Sequence, residues 1–489
     1  MLKRASGILL PVSSLPGPWG IGTLGEEARR FVDFLAAAGQ TYWQVLPVGP
    51  TGYGDSPYQS FSAFAANPYF IDPGILIRQG LLTEEEAEAD WGERRGGGDC
   101  GALNASRHTL LQKAADRLPE GDEDFAAWKK EQSAWLEDYA LFMALKEENN
   151  QQSWYHWPDE VRLRRPDALA KARQRLAGRV DYWQKIQYLF YRQWDELLAY
   201  AHQKGVQIIG DIPIYVSPDS SDIWAEPELF QTDEDRRLTR VAGCPPDAFA
   251  ADGQLWGNPL YDWPRHKATG YAWWLRRLRH ALTIYDVVRI DHFRGFESYY
   301  SIPARDTTAQ NGSWQPGPGM DFIGAIHAAM PGARIIAEDL GYLTPQVKEL
   351  LEGSGYPGMK VLQFAFDRRE AGDYLPHNYL HNSVVYTGTH DNTTTAAWET
   401  EAHPEDVERA RAYLHAADEP LVESFIRAAM ASVSNTAIVP MQDWLGLGGE
   451  ARMNVPSRPW GNWQWRVEQS AFTPQLAGRI AALTELYGR

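Results

Sequence analysis

The sequence predicts an α/β fold, a (β/α)₈ TIM barrel, and three observations predict it. Eight short runs are apolar along their whole length instead of alternating, which suits parallel strands covered on both faces. Segments with helical spacing of apolar residues fall between these runs, and repeated strand–helix alternation is the barrel pattern. Several runs end in Asp, Glu or His. In such a barrel the strand C-termini form the mouth where chemistry is done.

In chain order the strand runs are GILLPV (7–12), YWQVLPV (42–48), VQIIGDIPI (206–214), DVVRIDHF (286–293), ARIIAED (333–339), KVLQFAF (360–366), SVVYTGT (383–389) and AIVPMQD (437–443). The first helix is predicted over 26–38, where Ala28, Phe31, Val32, Leu35 and Ala36 fall on one face and Gly39 can close the end. A second stripe, Trp183, Ile186, Phe190, Trp194 and Leu197, predicts a helix over 179–203. Thr344-Pro345 is a cap and first-turn pair for a later helix, and 473–487 reads as the eighth.

The whole chain, 1–489, reads as a single catalytic barrel with large insertions over the C-terminal face of its strands. Residues 52–178, between the second and third strands, read as a mostly helical insertion. It opens on the Ser/Tyr/Phe-rich stretch TGYGDSPYQSFSAFAANPYF, includes a capping box at Thr83 and Glu86, and has a glycine loop at Gly96 to Gly98. Residues 215–270, rich in Pro, Asp and Trp, read as a loop-rich, irregular insertion between the third and fourth strands. Both leave strand C-termini, so both are expected to cover the mouth. The stretch after Asp443 is too short for an appended C-terminal β-sandwich.

A net charge of −17 disfavours nucleic acid as a partner, because phosphate binding needs a basic field, and disfavours an anionic membrane surface. No window approaches a membrane-spanning run, and the opening MLKRASGILLPVSSLPG reads as a first strand, broken by Pro11 and Ser13, and not as a leader. Only two cysteines, Cys100 and Cys244, occur in 489 residues, so a reducing, cytoplasmic setting is expected. Twenty Trp and 23 Tyr exceed ordinary use. Most must fill the core, but runs such as WGNPLYDW (256–263) mix rings with amides, as sugar stacking requires.

Three carboxylates stand at strand mouths: Asp291 in VVRIDHFRG, Glu338 in ARIIAEDLG and Asp391 in VVYTGTHDN. Cleavage of a glycosidic bond with retention needs two carboxyl groups, one nucleophile and one proton donor. Arg289 lies two residues before Asp291, so the two share a strand face and the cation can keep the carboxylate ionised. A proton donor near neutral pH needs a raised pKa, from burial or nearby negative charge. Asp291 and Asp391 can supply that charge to Glu338 if all three converge. Alone, an Arg–Asp pair on a strand is more often structural. Asp211, in IIGDIPIYV, can hold Arg289 or bind a sugar, and His292 and His390 suit sugar hydroxyls.

The ordered set Asp211, Arg289-x-Asp291, Glu338 and His390-Asp391 resembles the four short regions of the α-amylase superfamily. SSLPGPWGIGTLG, SPYQSFSAFAANPYFID, GDIPIYV, WGNPLYDW, RIDHFRG, AEDLG, GTHDN and RMNVPSRPWGNW together resemble the amylomaltase family, bacterial-type 4-α-glucanotransferases of glycoside hydrolase family 77. The resemblance runs over about residues 7–466. It implies that Asp291 is the nucleophile, Glu338 the acid/base and Asp391 the residue that distorts the donor sugar. It implies that Asp211, Arg289, His292 and His390 surround the donor glucose, with Tyr58 as a stacking platform. Asp247, Gln254, Trp256 and Asn258 would contact acceptor or donor sugars, and Asn462 the donor side. Tyr215 and Val216 stand where α-amylases have Asn and His, and Phe293-Arg294 replaces their Lys-His pair. Ordinary amylase specificity and its structural calcium site are therefore not implied. Ser457 replaces a common Gly.

The function so implied is transfer of α-1,4-glucan segments between malto-oligosaccharides or starch- and glycogen-type glucans, with glucose or maltose as acceptor and neither metal nor organic cofactor. The alternatives are an α-glucan hydrolase, which the same carboxylates support, and a non-enzymatic glucan-binding protein.

Overall fold

A computed structural model describes residues 2–52, 55–88, 91, 100–246, 252–341, 343–368, 372–416, 419–456, 458 and 460–489, with backbone alone for 100–105. Asp247, Ser457 and the glycines at 96–98 lie outside the described residues. The strands are β1 (Ala5–Leu9), β2 (Tyr42–Gln44), β3 (Gln207–Ile212), β4 (Arg240–Cys244), β5 (Gln254–Pro259), β6 (Val287–Ile290), β7 (Ser298–Pro303), β8 (Ser313–Pro316), β9 (Ile335–Ala337), β10 (Gly358–Val361), β11 (Ser383–Tyr386) and β12 (Thr436–Pro440).

Eight of them form one parallel sheet in the order β10-β11-β12-β1-β2-β3-β6-β9, curled into a nearly closed barrel. At the seam between β9 and β10, the Ala337 N–H donates to the Pro357 carbonyl at 2.9 Å. Each of the eight predicted runs contains or overlaps one barrel strand, but the ladders are shorter than the runs. The 42–48 run pairs only over Tyr42–Gln44, and Leu362–Ala365 turns into a helix. Beyond the ladder the chain leaves the cylinder to build its rim.

Side-chain direction explains the continuous apolar runs. Leu9, Tyr42, Ile209, Val287, Ile336, Met359, Val361, Val384, Tyr386 and Ile438 pack together in one buried cluster that fills the barrel. Their neighbours Ile8, Trp43, Ile208, Val288, Ile335, Val385 and Ala437 belong to the larger core shared with the helices. Both faces of each strand are dry, so both parities must be apolar. Each aliphatic side chain so buried contributes about 1.5–3 kcal/mol.

The helix Glu26–Ala37 forms as its periodicity predicts, and Gly39 follows at φ 67°, a conformation open to glycine. The 179–203 stripe lies in the helix Ala177–Gln203. Thr83 and Glu86 make both bonds of the capping box, and Thr344 caps the helix Pro345–Ser354. Between β2 and β3 the helix Leu136–Glu148 is buried nearly all round. Its Lys146, 1% exposed, pairs with Asp219 at 2.6 Å and lies over the Phe61 ring, tying this region to the loop after β3.

The 215–270 segment is rich in loops but also holds regular structure. It carries β4 and β5, which join β7 and β8 in an antiparallel sheet ordered β5-β4-β7-β8. On one edge β4 pairs with its neighbour β5, and on the other its partner is β7, with Arg240 opposite Pro303 and Gly243 opposite Tyr300. That partner lies beyond β6, so local sequence carries no sign of it.

Candidate active site

The β3–β6 pairing sets Asp211 directly beside Arg289. Arg289 Nη1 donates to Asp211 Oδ1 at 2.8 Å and Oδ2 at 2.6 Å, and to Asp291 Oδ1 at 3.0 Å. The Tyr58 hydroxyl donates to Asp211 Oδ2 at 2.8 Å. Arg289 and Asp211 are buried, and buried charges persist only when paired and hydrogen-bonded. Burial works against the Arg289 cation, but Asp211 and then Asp291 outweigh it and hold its pKa well above the ordinary value. Burial also raises the Asp211 carboxyl, against the pull of Arg289. One cation thus serves two carboxylates, and Asp291 is the one of the pair that reaches the cleft.

Glu338 follows β9, next to β6 in the barrel. Its Oε2 accepts the His292 N–H at 2.6 Å and its Oε1 accepts the Leu340 N–H at 2.7 Å. His292 takes a left-handed conformation, φ 51° and ψ 46°, which aims that N–H at the carboxyl. Such a conformation costs a non-glycine residue about 1–3 kcal/mol and persists where surroundings enforce it. The two N–H bonds favour the carboxylate, but burial and then the Asp291 charge prevail and raise the Glu338 pKa to about 8. Glu338 is therefore mostly protonated at neutral pH beside an arginine-paired Asp291.

Asp391 comes in on the loop after β11. Asn454 Nδ2 donates to its Oδ1 at 2.7 Å, and His390 Nε2 lies 3.4 Å from Oδ2. Arg452 holds its backbone carbonyl at 2.8 Å. Its side chain is 47% exposed, so the carboxylate still faces the cleft. The Tyr58 hydroxyl feels the charges of Asp211, Arg289, Asp291 and Asp391 together, which marks it as the meeting point. Burial first, then Asp211, keeps this phenol a neutral donor.

Rings form the walls. Tyr58 stacks on His390 with centroids 5.2 Å apart, and Trp463 lies 6.0 Å from Tyr58 and 5.9 Å from His390. Across the cleft the Trp256 ring meets His292 edge to face at 4.9 Å. Burial lowers the His292 pKa to about 4, so its imidazole is neutral at neutral pH.

The structure gathers Tyr58, Asp211, Arg289, Asp291, His292, Glu338, His390 and Asp391 around one cleft. Trp256 borders it through His292, and Gln254 Oε1 accepts from the Trp256 indole at 3.0 Å. Asn258 and Asn462 spend their amides on backbone. Asn258 Nδ2 donates to the Val216 carbonyl at 2.9 Å, and Asn462 accepts the Val455 N–H at 2.9 Å while donating to the Arg458 carbonyl at 2.8 Å. Sequence reasoning missed Asn454, Arg452 and Trp463. All three lie in or beside RMNVPSRPWGNW, from which it drew only Asn462.

Residues 10–471 match the family described as 4-alpha-glucanotransferase. A 4-alpha-glucanotransferase of Clostridium butyricum is 47% identical over 98% of this chain and 99% of its own length. One from Thermus thermophilus is 47% identical over 99% of each. The solved amylomaltase from Streptococcus agalactiae in complex with acarbose superposes with a TM-score of 0.96, at 41% identity over the full length of both. The barrel, the clustered carboxylates and this likeness along the whole chain agree: the chain belongs to the 4-alpha-glucanotransferase family, retaining enzymes that move α-1,4-glucan segments from one chain to another.

Proposed function

We propose that the transfer runs by double displacement with Asp291 as nucleophile, Glu338 as acid and base, and Asp391 as the group that binds and distorts the donor sugar. The observation that carries this reading is the contrast between two neighbouring carboxyls. Asp291 is paired with Arg289, whereas Glu338 is half-buried, held by two backbone N–H groups and raised to about 8. Environments that drive two carboxyl groups apart assign one as base or nucleophile and the other as acid.

In the first step Glu338 gives its proton to the glycosidic oxygen as Asp291 attacks the anomeric carbon. The C1–O bond to the leaving fragment breaks and a C1–O bond to Asp291 forms. The Asp291 charge is then gone, and with it one cause of the raised Glu338 pKa. Glu338 becomes a better carboxylate, stabilised by the same two N–H donors. It takes the proton of an incoming 4-hydroxyl, which attacks C1 and releases Asp291. Neutral His292, together with His390, Asp211 and the Tyr58 ring, lines the donor glucose. Gln254, Trp256, Asn258 and Asp247 belong to the segment that receives further sugars, and Asn462 shapes the donor side.

Malto-oligosaccharides and starch- or glycogen-type glucans serve as donors, and glucose or maltose as acceptor, in the cytoplasm. Incubation with maltotriose alone tests the reading. Transfer yields a ladder of longer and shorter oligomers with little gain of reducing ends. Reducing ends rising in step with maltotriose loss would identify a hydrolase instead.

A further inference from the structure

We propose that Asp443 is a positioning residue for Asp391, tying together the two ends of the loop that carries it. The inference rests on the reading of Asp391 given above. Asp443 follows β12 and is 2% exposed, so it lies beneath the cleft and not in it. Its Oδ2 accepts the Thr387 hydroxyl at 2.5 Å and the Thr395 hydroxyl at 2.7 Å, and its Oδ1 accepts the Thr395 N–H at 2.8 Å. Thr387 is the first residue beyond β11, and Thr395 opens the helix Thr395–Glu401. The segment between them, 388–394, holds His390 and Asp391.

Other bonds leave this loop little freedom once its ends are fixed. Gln363, just after β10, donates to the Thr393 carbonyl at 2.9 Å and to the Thr395 hydroxyl at 3.3 Å. The backbone of Gly388 lies so close to that amide that a Cβ would stand 2.6 Å from Gln363 Nε2. Inside the loop Asn392 Oδ1 accepts the Thr389 N–H at 2.8 Å and its hydroxyl at 2.9 Å. Arg452 and Asn454 hold Asp391 from the rim, and Asp443, on the short helix after β12, holds the base of the loop.

The choice of carboxylate is itself informative. Among the described residues Asp443 makes no ion pair, and an uncompensated buried carboxylate is costly. Three donors converge on it, two of them on one oxygen. A carboxylate accepts all three, whereas an amide presents one accepting oxygen and an N–H₂ that must face a donor. The barrel core alone would be served by an apolar residue here. A loop whose end must not drift is served by Asp443. Displacing a reacting group by about 1 Å can lower the rate about a hundredfold.

The test compares Asp443→Asn, Asp391→Asn and the double variant at high enzyme concentration, with maltotriose as substrate and unfolding midpoints measured alongside. Asp443→Asn is expected to lower kcat about 10- to 100-fold with little change in KM. In the Asp391→Asn background it should cause no further loss, because both changes remove the same contribution. Near wild-type turnover in Asp443→Asn, or losses that multiply in the double variant, would overturn the inference and leave the Asp391 reading intact. Near wild-type turnover in Asp391→Asn would instead sink that reading, and this inference with it. If Asp443→Asn does not fold, the isosteric Thr387→Val cuts one of the three bonds and is judged by the same cycle.

Discussion

The proton on Glu338 can be weighed on two balances, activity and stability. At pH 7 a carboxyl with pKa about 8 is about 90% protonated, against about 0.3% at the ordinary 4.5, so the site raises the donor fraction about 300-fold. The same shift costs stability. Between pH 4.5 and 8 the unfolded chain has released this proton while the folded chain still holds it. Unfolding then becomes easier as pH rises through that window and levels off above it. The full shift corresponds to about 5 kcal/mol, at about 1.4 kcal/mol per pKa unit. Glu338 is only half-buried, with its carboxyl at a solvated cleft, so about 2 kcal/mol is the more realistic scale. Glu338→Gln cannot ionise, so the variant should escape this loss. Its amide must face one of two N–H donors, which subtracts a constant of about 1–3 kcal/mol at every pH. The readout is therefore the pH dependence. The variant's unfolding midpoint minus that of wild type should rise by a few degrees from pH 5 to pH 9. Parallel curves would refute the raised pKa. With maltotriose the variant should be blocked, yet a donor with a very good leaving group should still react in the first step, and azide should rescue the second. Equal loss with both donors and no azide effect would make Glu338 a binding residue.

Asp291→Asn should lower kcat more than about a thousandfold and abolish trapping of a covalent glycosyl-enzyme, and activity above about a tenth of wild type would remove it as nucleophile. A crystal structure should show the Asp291 and Glu338 carboxyl groups roughly 5–5.5 Å apart, as retention needs, and a separation nearer 8 Å would point to inversion. Trp256→Ala should weaken sugar binding by about 1–3 kcal/mol and raise hydrolysis relative to transfer. Oligomer redistribution and reducing-end gain report the ratio, and an unchanged ratio with a lower melting temperature would make Trp256 merely a packing residue. Lys146→Met should destabilise the fold by about 3 kcal/mol, because Asp219 loses its buried partner. Denaturant unfolding checks this, and a change below about 0.5 kcal/mol would show the pair to be expendable.

The sequence alone carries the barrel, because a strand that is dry on both faces is mostly apolar on both parities, as Ile8-Leu9 and Val287-Val288 are. It also carries Asp291 and Glu338, since a charged residue ending such a run lands at the mouth, and two-residue spacing alone puts Arg289 on the Asp291 face. The antiparallel sheet was not legible: β4 finds its partner β7 only after the chain has passed through β6. Nor was the division of Arg289 between Asp211 and Asp291, which depends on the β3–β6 register. Local pattern reports what a segment needs to bury, and it says nothing of which distant group will stand opposite. Asn454 reaching Asp391, the His292 backbone turning to Glu338 and Asp443 closing the loop from Thr387 to Thr395 are contacts between segments far apart or turned out of regular structure. Only the closed barrel brings those strand ends within hydrogen-bonding distance, and with them the charges that set the Glu338 proton.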